Sequence, residues 1–279
     1  MPSEEAIVQF CSITGASVRD AKKLLDKYRS VEAAIDVYYS NPPALSNSSP
    51  RRPPAPSTSK LNNLYDKYKG TPGDHIGAQG TIDLCVDLGV DPEDVVMLAV
   101  AYELKSPRLG EWHRQGWIDG WKALGCDALP AMREAVESLR SKLSSNLDYF
   151  RKVYMHTFQF ARADGQRSLP IDMAAAFWGL LIPCGVEGGA LEHVNPRDDD
   201  DDEVMSSGDG WAPQYLQWWL DFHEKKGTKG ISKDTWSMFL EFILTIDLNF
   251  ETYDQEAAWP SAIDDFVEYA KARLASGGA

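Results

Sequence analysis

Residues 41–60, "NPPALSNSSPRRPPAPSTSK", constrain this chain more than any other stretch. They hold six prolines and five serines but almost nothing that a core could bury. Proline removes a backbone donor and serine competes for backbone hydrogen bonds, so neither helix nor strand is expected to run through the segment. It reads as a flexible or extended linker, and hence as a domain boundary. The 279 residues therefore divide into a small unit (1–42), a linker (43–60) and a large unit (61–279).

The small unit reads as three short helices between residues 4 and 41. The first carries Ala6, Ile7 and Phe10. "SVRDAKKLLDKY" opens with Ser17 as N-cap and Asp20 three residues on, and "SVEAAIDVYYS" places Ser30 ahead of Ala34, Ile35, Tyr38 and Tyr39. From residue 61 onward apolar residues recur at helical spacing with no sustained period-two alternation, so the whole chain reads as all-α. "IDMAAAFWGLLI" is apolar almost all round and is expected at the centre. "PCGVEGGALEHVNPRDDDDDEVMSSGDG", 183–210, has Gly, Pro and acid but no pattern, and reads as a disordered surface insertion. Near the end, Pro260 suits a first helical position; Ala262, Ile263, Phe266, Val267, Ala270 and Leu274 share one arc. Asp264, Asp265 and Glu268 fall on the opposite arc, in reach of solvent.

Acidic residues outnumber basic ones, 42 to 28, for a formal charge of −14. That balance argues against nucleic acid or an anionic membrane as partner and permits a basic protein surface. Cys11, Cys85, Cys126 and Cys184 lie far apart with no CxxC spacing, which fits thiols in a reducing compartment. Neither a signal-like leader nor a run of about 18 apolar residues is present. The expectation is a soluble protein of the cytoplasm or nucleus.

A loop, one apolar residue and then a helix recur in "GTPGDHIGAQGTIDLCVDL", "PRLGEWHRQGWIDGW", "RADGQRSLPIDMAAAFW" and "KGTKGISKDTWSMFLEF". EF-hand units have this outline, but a calcium loop needs carboxylates at alternate positions and a closing Glu. None of the four has them, so no metal is expected. The five histidines make no HxxxH pair, and neither a P-loop nor a nucleophile elbow occurs. No catalytic residue and no cofactor is assigned.

"KDTWSMFLEF" at 233–242, followed by "YDQEAAWPSAIDDFVEY" at 253–269, resembles the C-terminal signature of the defective-in-cullin-neddylation family. Supporting matches are "IGAQGTIDLCVDLGVDP", "GWIDGWKALGCD" and "TFQFARADGQRSLPIDMAAAFWGLL", so the likeness covers about 61–275. The N-terminal three-helix unit resembles the ubiquitin-associated domain of many members, with "SITGAS" in place of the usual Met-Gly-aromatic loop. The resemblance implies a helical potentiating-neddylation domain with degenerate EF-hand-like units. It also implies a scaffold-type co-ligase, ligase-like but without a catalytic side chain, that joins the Nedd/Rub ubiquitin-like modifier to cullins.

Two contact sites follow from the same resemblance. An Asp–Ala–Asp patch facing a cullin's basic winged-helix end falls on Asp234, Ala258 and Asp264, with Trp259 and Phe266 anchoring beneath. A pocket for the acetylated N-terminus of the conjugating enzyme falls on Ala78, Thr81, Met97, Val100, Leu109, Trp112, Phe160 and Leu180; Ala78 and Thr81 are smaller than the usual aliphatics there. The RING subunit of the cullin ligase is the further implied partner. Two other readings stand beside this one: a ubiquitin-binding adaptor acting through residues 4–41, and a calcium sensor of EF-hand type.

Overall fold

The computed structural model describes residues 2–14, 16, 18–28, 30–40, 55–70, 73–192 and 210–277. Two compact units emerge, Met1–Ala55 and Pro56–Ala279. The first holds α1 (Glu4–Thr14), α2 (Val18–Tyr28) and α3 (Val31–Ser40) around buried Ile7, Phe10, Ala21, Leu25 and Ala34. Ser30 caps α3 as its position suggests, its Oγ accepting from the Ala33 N–H at 3.4 Å. Ser17, the expected cap of α2, lies outside the described residues.

The second unit opens with α4 (Thr58–Lys69), three residues inside the stretch read as linker. Its first turn is tied down: Ser57 Oγ caps the Lys60 N–H, while the Ser57 N–H donates to Asp127 Oδ2 at 2.9 Å. Leu61 is fully buried one turn later. Then follow α5 (Ala78–Leu88), α6 (Val96–Glu103), α7 (Arg114–Ala123), α8 (Leu129–Ser145), α9 (Leu147–Ala161) and α10 (Ile171–Glu187). The chain closes with α11 (Gln214–Lys226), α12 (Lys233–Thr245) and α13 (Ser261–Ala275). The described residues are predominantly helical, as the periodicity implies, and no helix among them is long and apolar enough to cross a membrane.

α10 is central, packing on α8, α9 and α11. Its Trp178 lies in a dry aromatic stack: Tyr154 and Trp178 sit on Trp236 at ring separations of 4.5 and 5.2 Å. The polar edges of these rings satisfy one another. Tyr154 donates its hydroxyl to the Trp236 carbonyl (2.8 Å) and accepts from Trp178 Nε1 (2.9 Å), and Trp236 Nε1 donates to the Tyr154 carbonyl (3.0 Å). Buried indoles and phenols keep their full apolar contribution only when so paired.

The four loop–helix repeats pair off. Ser168–Pro170 (β1) lies antiparallel to Gly230–Ser232 (β2), with Leu169 opposite Ile231. Ile76 and Trp112 exchange two backbone hydrogen bonds of 3.1 and 3.0 Å in the other pair. The apolar residue of each loop (Ile76, Trp112, Leu169, Ile231) is buried, pinning each junction to the core. The strands approach closely at Gly230, where a Cβ would lie 2.9 Å from Ser168 Oγ and 3.2 Å from the Leu169 carbonyl oxygen.

The unpatterned stretch begins later than 183. α10 continues to Glu187 through Pro183, and the turn beyond it packs inward, burying Ala190 and Leu191. The Ala190 N–H donates to the Ser144 carbonyl, and a Cβ on Gly185 would strike Leu191 and Phe150. Small residues that look like loop composition serve close packing here. Residues 193–209, including the acidic run, lie outside the described residues.

Candidate functional site

Asp234 stands in the first turn of α12, where Ser232 Oγ caps the Thr235 N–H at 3.0 Å. It is exposed, and its carboxylate has no partner among the described residues. An acid at this position suits the helix dipole whatever else it does.

The loop that follows α12 is built around one carboxylate. Asp247 accepts from the backbone N–H groups of Asn249 (2.7 Å), Glu251 (3.0 Å) and Thr252. Burial alone would raise its pKa, but the Thr252 hydroxyl and these amides outweigh it and hold the group at about 2. Phe250 takes φ 58°, a strained value for an aromatic residue. Its ring is fully buried against Tyr215, Phe242 and Phe266, which holds that conformation in place.

The loop then folds back. Tyr253 stacks on Trp259 at 6.0 Å and meets Phe242 edge-on at 6.1 Å. The Trp259 N–H donates to the Ala257 carbonyl at 2.8 Å, closing a three-residue turn with exposed Ala258 at its tip. Pro260 is the residue before α13, one ahead of the expected first helical position; its carbonyl accepts from Ile263 at 2.8 Å. Phe266 is fully buried beneath, and Trp259 is half-buried against Phe242.

Asp264 differs from its expected solvated placement. It is half-buried, because the folded-back loop delivers the Tyr253 hydroxyl to Asp264 Oδ1. The neighbouring Asp265 is exposed and forms an ion pair with Lys226 of α11. Of the two adjacent carboxylates, one meets a cation and the other a neutral donor. Ala258 and Asp264 thus belong to one packed corner around Phe242. Asp234 lies eight residues before Phe242, about 12 Å along the helix axis, and no hydrogen bond or ion pair joins it to the other two.

The other eight candidates fall into groups. Trp112 Nε1 donates to Thr81 Oγ1 at 2.7 Å, and Thr81 Oγ1 donates to the Gly77 carbonyl at 2.9 Å. Ala78 lies under Gly110, the neighbour of Leu109; Ala78 and Leu109 are exposed, the latter by 62%. Met97 faces Cys85 across a 3.8 Å sulfur contact, and Phe160 lies 5.7 Å from the His156 ring, which in turn meets Tyr102 of α6. Met97, Val100, Trp112 and Phe160 are core side chains, with Leu180 half-buried on α10. Thr81 and Trp112 touch directly; no described contact connects that pair to Phe160 or Leu180. Ile82 and Val86, exposed on α5 beside these residues, were not singled out by sequence, although their spacing from Ala78 (i+4, i+8) was readable.

The cullin-binding family profile matches residues 131–269, a span that contains Asp234, Ala258 and Asp264. A UBA-like domain profile matches residues 4–44. "Defective in cullin neddylation protein 1" of Cryptococcus neoformans var. neoformans serotype D is 38% identical, the match covering 95% of this chain and 92% of the relative. The chain belongs to the defective-in-cullin-neddylation family. The family member of the same name from Yarrowia lipolytica is 32% identical, covering 96% of each chain. "DCN1-like protein 4" of Homo sapiens is 34% identical over 77% of this chain and 64% of its own length. Within the family framework, the profile covers the Asp–Ala–Asp positions and leaves 78–112 outside it.

Proposed function

We propose that the chain binds a cullin and promotes transfer of the Nedd/Rub modifier to it, holding the charged conjugating enzyme on the same domain. The observation that carries this reading is Ala258 at the exposed tip of a three-residue turn, beside an acidic position that no cation among the described residues neutralises. A small residue there admits a partner closely, and Asp234 and Asp264 favour a basic one. Close relatives are named for cullin neddylation, and the cullin-binding profile spans these positions. A domain that grips both reactants raises their effective concentration and orients the thioester toward the cullin lysine, with no nucleophile of its own. The conjugating enzyme's acetylated terminus would enter near Ala78, Thr81, Leu109 and Trp112, and the RING subunit would complete the assembly. Adding the chain to a reconstituted system of charged conjugating enzyme, RING subunit and cullin should raise the transfer rate at least about tenfold, roughly 1.4 kcal/mol of barrier. A rate equal to that without the chain would refute the reading.

The adaptor reading keeps one observation in its favour. Exposed Ile13 and Tyr39 are brought together by the Tyr39 hydroxyl, which donates to the Ile13 carbonyl at 3.0 Å. Ubiquitin as its ligand is tested by titration against residues 1–55 and against the full chain.

A further inference from the structure

We propose that the Tyr253 hydroxyl sets the orientation in which the Asp264 carboxylate faces the cullin, which makes Tyr253 a positioning residue of that contact. The inference rests on the cullin contact proposed above. A carboxylate in the first turn of a helix has several rotamers, and a partner that needs one of them loses affinity to the rest. Here one oxygen is occupied: Tyr253 donates to Asp264 Oδ1, while Oδ2 has no partner among the described residues. The donor's ring is itself packed. It lies against Trp259 and Phe242, both of which belong to the same corner as Ala258.

The donor's chemistry matters as much as its position. A lysine at this point, as at Asp265, would orient the carboxylate but cancel its charge toward a basic partner. A phenol orients it and leaves the full negative charge in place. Burial, the hydrogen bond to Asp264 and the charges of Asp264 and Asp254 push the Tyr253 phenol well above its ordinary range, so it remains a donor at any physiological pH. The two adjacent acids therefore have separate duties: Asp265 fastens α13 to α11, and Asp264 is held ready for a partner.

The test is a double-mutant cycle on cullin affinity with the full chain, using Tyr253→Phe, Asp264→Ala and the combination, each with its melting temperature. Tyr253→Phe keeps the ring packing and should weaken binding about fivefold to tenfold with little change in melting. In the Asp264→Ala background the same substitution should have no further effect, because nothing remains to be oriented. Tyr253→Leu, which removes the ring, should lower the melting temperature and so shows what a purely structural loss looks like. Asp264→Ala weakened but Tyr253→Phe unchanged would overturn the positioning role alone. A Tyr253→Phe loss that persists undiminished without Asp264 would also overturn it. Wild-type affinity in Asp264→Ala would overturn the cullin contact, and the inference with it.

Discussion

Of the three residues assigned to the cullin, Asp234 and Ala258 are exposed and Asp264 is half-buried. On the conjugating-enzyme side Val100, Trp112, Phe160 and Met97 have at most 8% of their surface open. The first region is a set of small or charged groups carried on an aromatic corner that does the packing for them. In the second, several groups assigned to recognition are also the packing. A substitution at the first can separate binding from folding, and one at most positions of the second cannot.

The largest expected effect sharpens that contrast. Val100→Asp places a charge where no surface is open, and should cost more than about 4 kcal/mol or prevent folding. Leu109→Asp, at an exposed position, should leave the melting temperature nearly intact while abolishing binding of an acetylated N-terminal peptide. Circular dichroism with peptide titration checks both, and a folded Leu109→Asp that binds normally would move the pocket elsewhere.

Next in size is the loop that carries the corner of Ala258 and Asp264. Asp247 has a folded pKa of about 2 against an ordinary value of 3.8. Its contribution is therefore fully present above pH 4 and is lost as pH falls toward 2. Allowing for partial solvent exposure it is about 1–2 kcal/mol. Denaturant unfolding between pH 5 and 2.5 should show a shallower loss for Asp247→Asn than for the native chain; parallel curves would break the account of the loop.

The boundary between the units gives a smaller effect. Removal of residues 1–55 should leave the melting of the large unit unchanged. Removal of 1–60 takes the Ser57 cap with it and should cost about 1 kcal/mol. Equal melting of the two truncations would show that the cap does nothing. The smallest expected change is in Asp265→Ala, next to Asp264 on α13. Because it releases the Lys226 cation from its pair with Asp265, one residue from Asp264, cullin affinity should fall about twofold to threefold; unchanged affinity would show that the pair plays no part in the contact.

What was legible in the sequence was local. Helical spacing located α10 and α13, hydroxyl residues marked the start of α3, and loop-plus-apolar repeats marked the four buried junction residues. The pairing of those junctions was not legible, since three-residue strands are too short to show alternation. Nor were the contacts that decide how each acid behaves: Tyr253 with Asp264, Lys226 with Asp265, and Ser57 with Asp127. These pairs lie 11, 39 and 70 residues apart, and no periodicity links their members. The Asp–Ala–Asp positions came from resemblance, and the structure adds why two of them share a corner. Pro183 and the glycines after it misled because small residues serve turns and close helix packing alike.

A basic cullin surface is proposed to dock on the corner formed by Ala258 and Asp264. Titration of a cullin C-terminal fragment into the full chain and into Ala258→Arg, at low and at high salt, tests it directly. The native chain should bind, and bind more weakly as salt screens charges over about 8–10 Å. Ala258→Arg adds bulk and a like charge at the tip of the turn, and should bind more than about tenfold more weakly with unchanged melting. Native affinity in a folded Ala258→Arg would contradict the account.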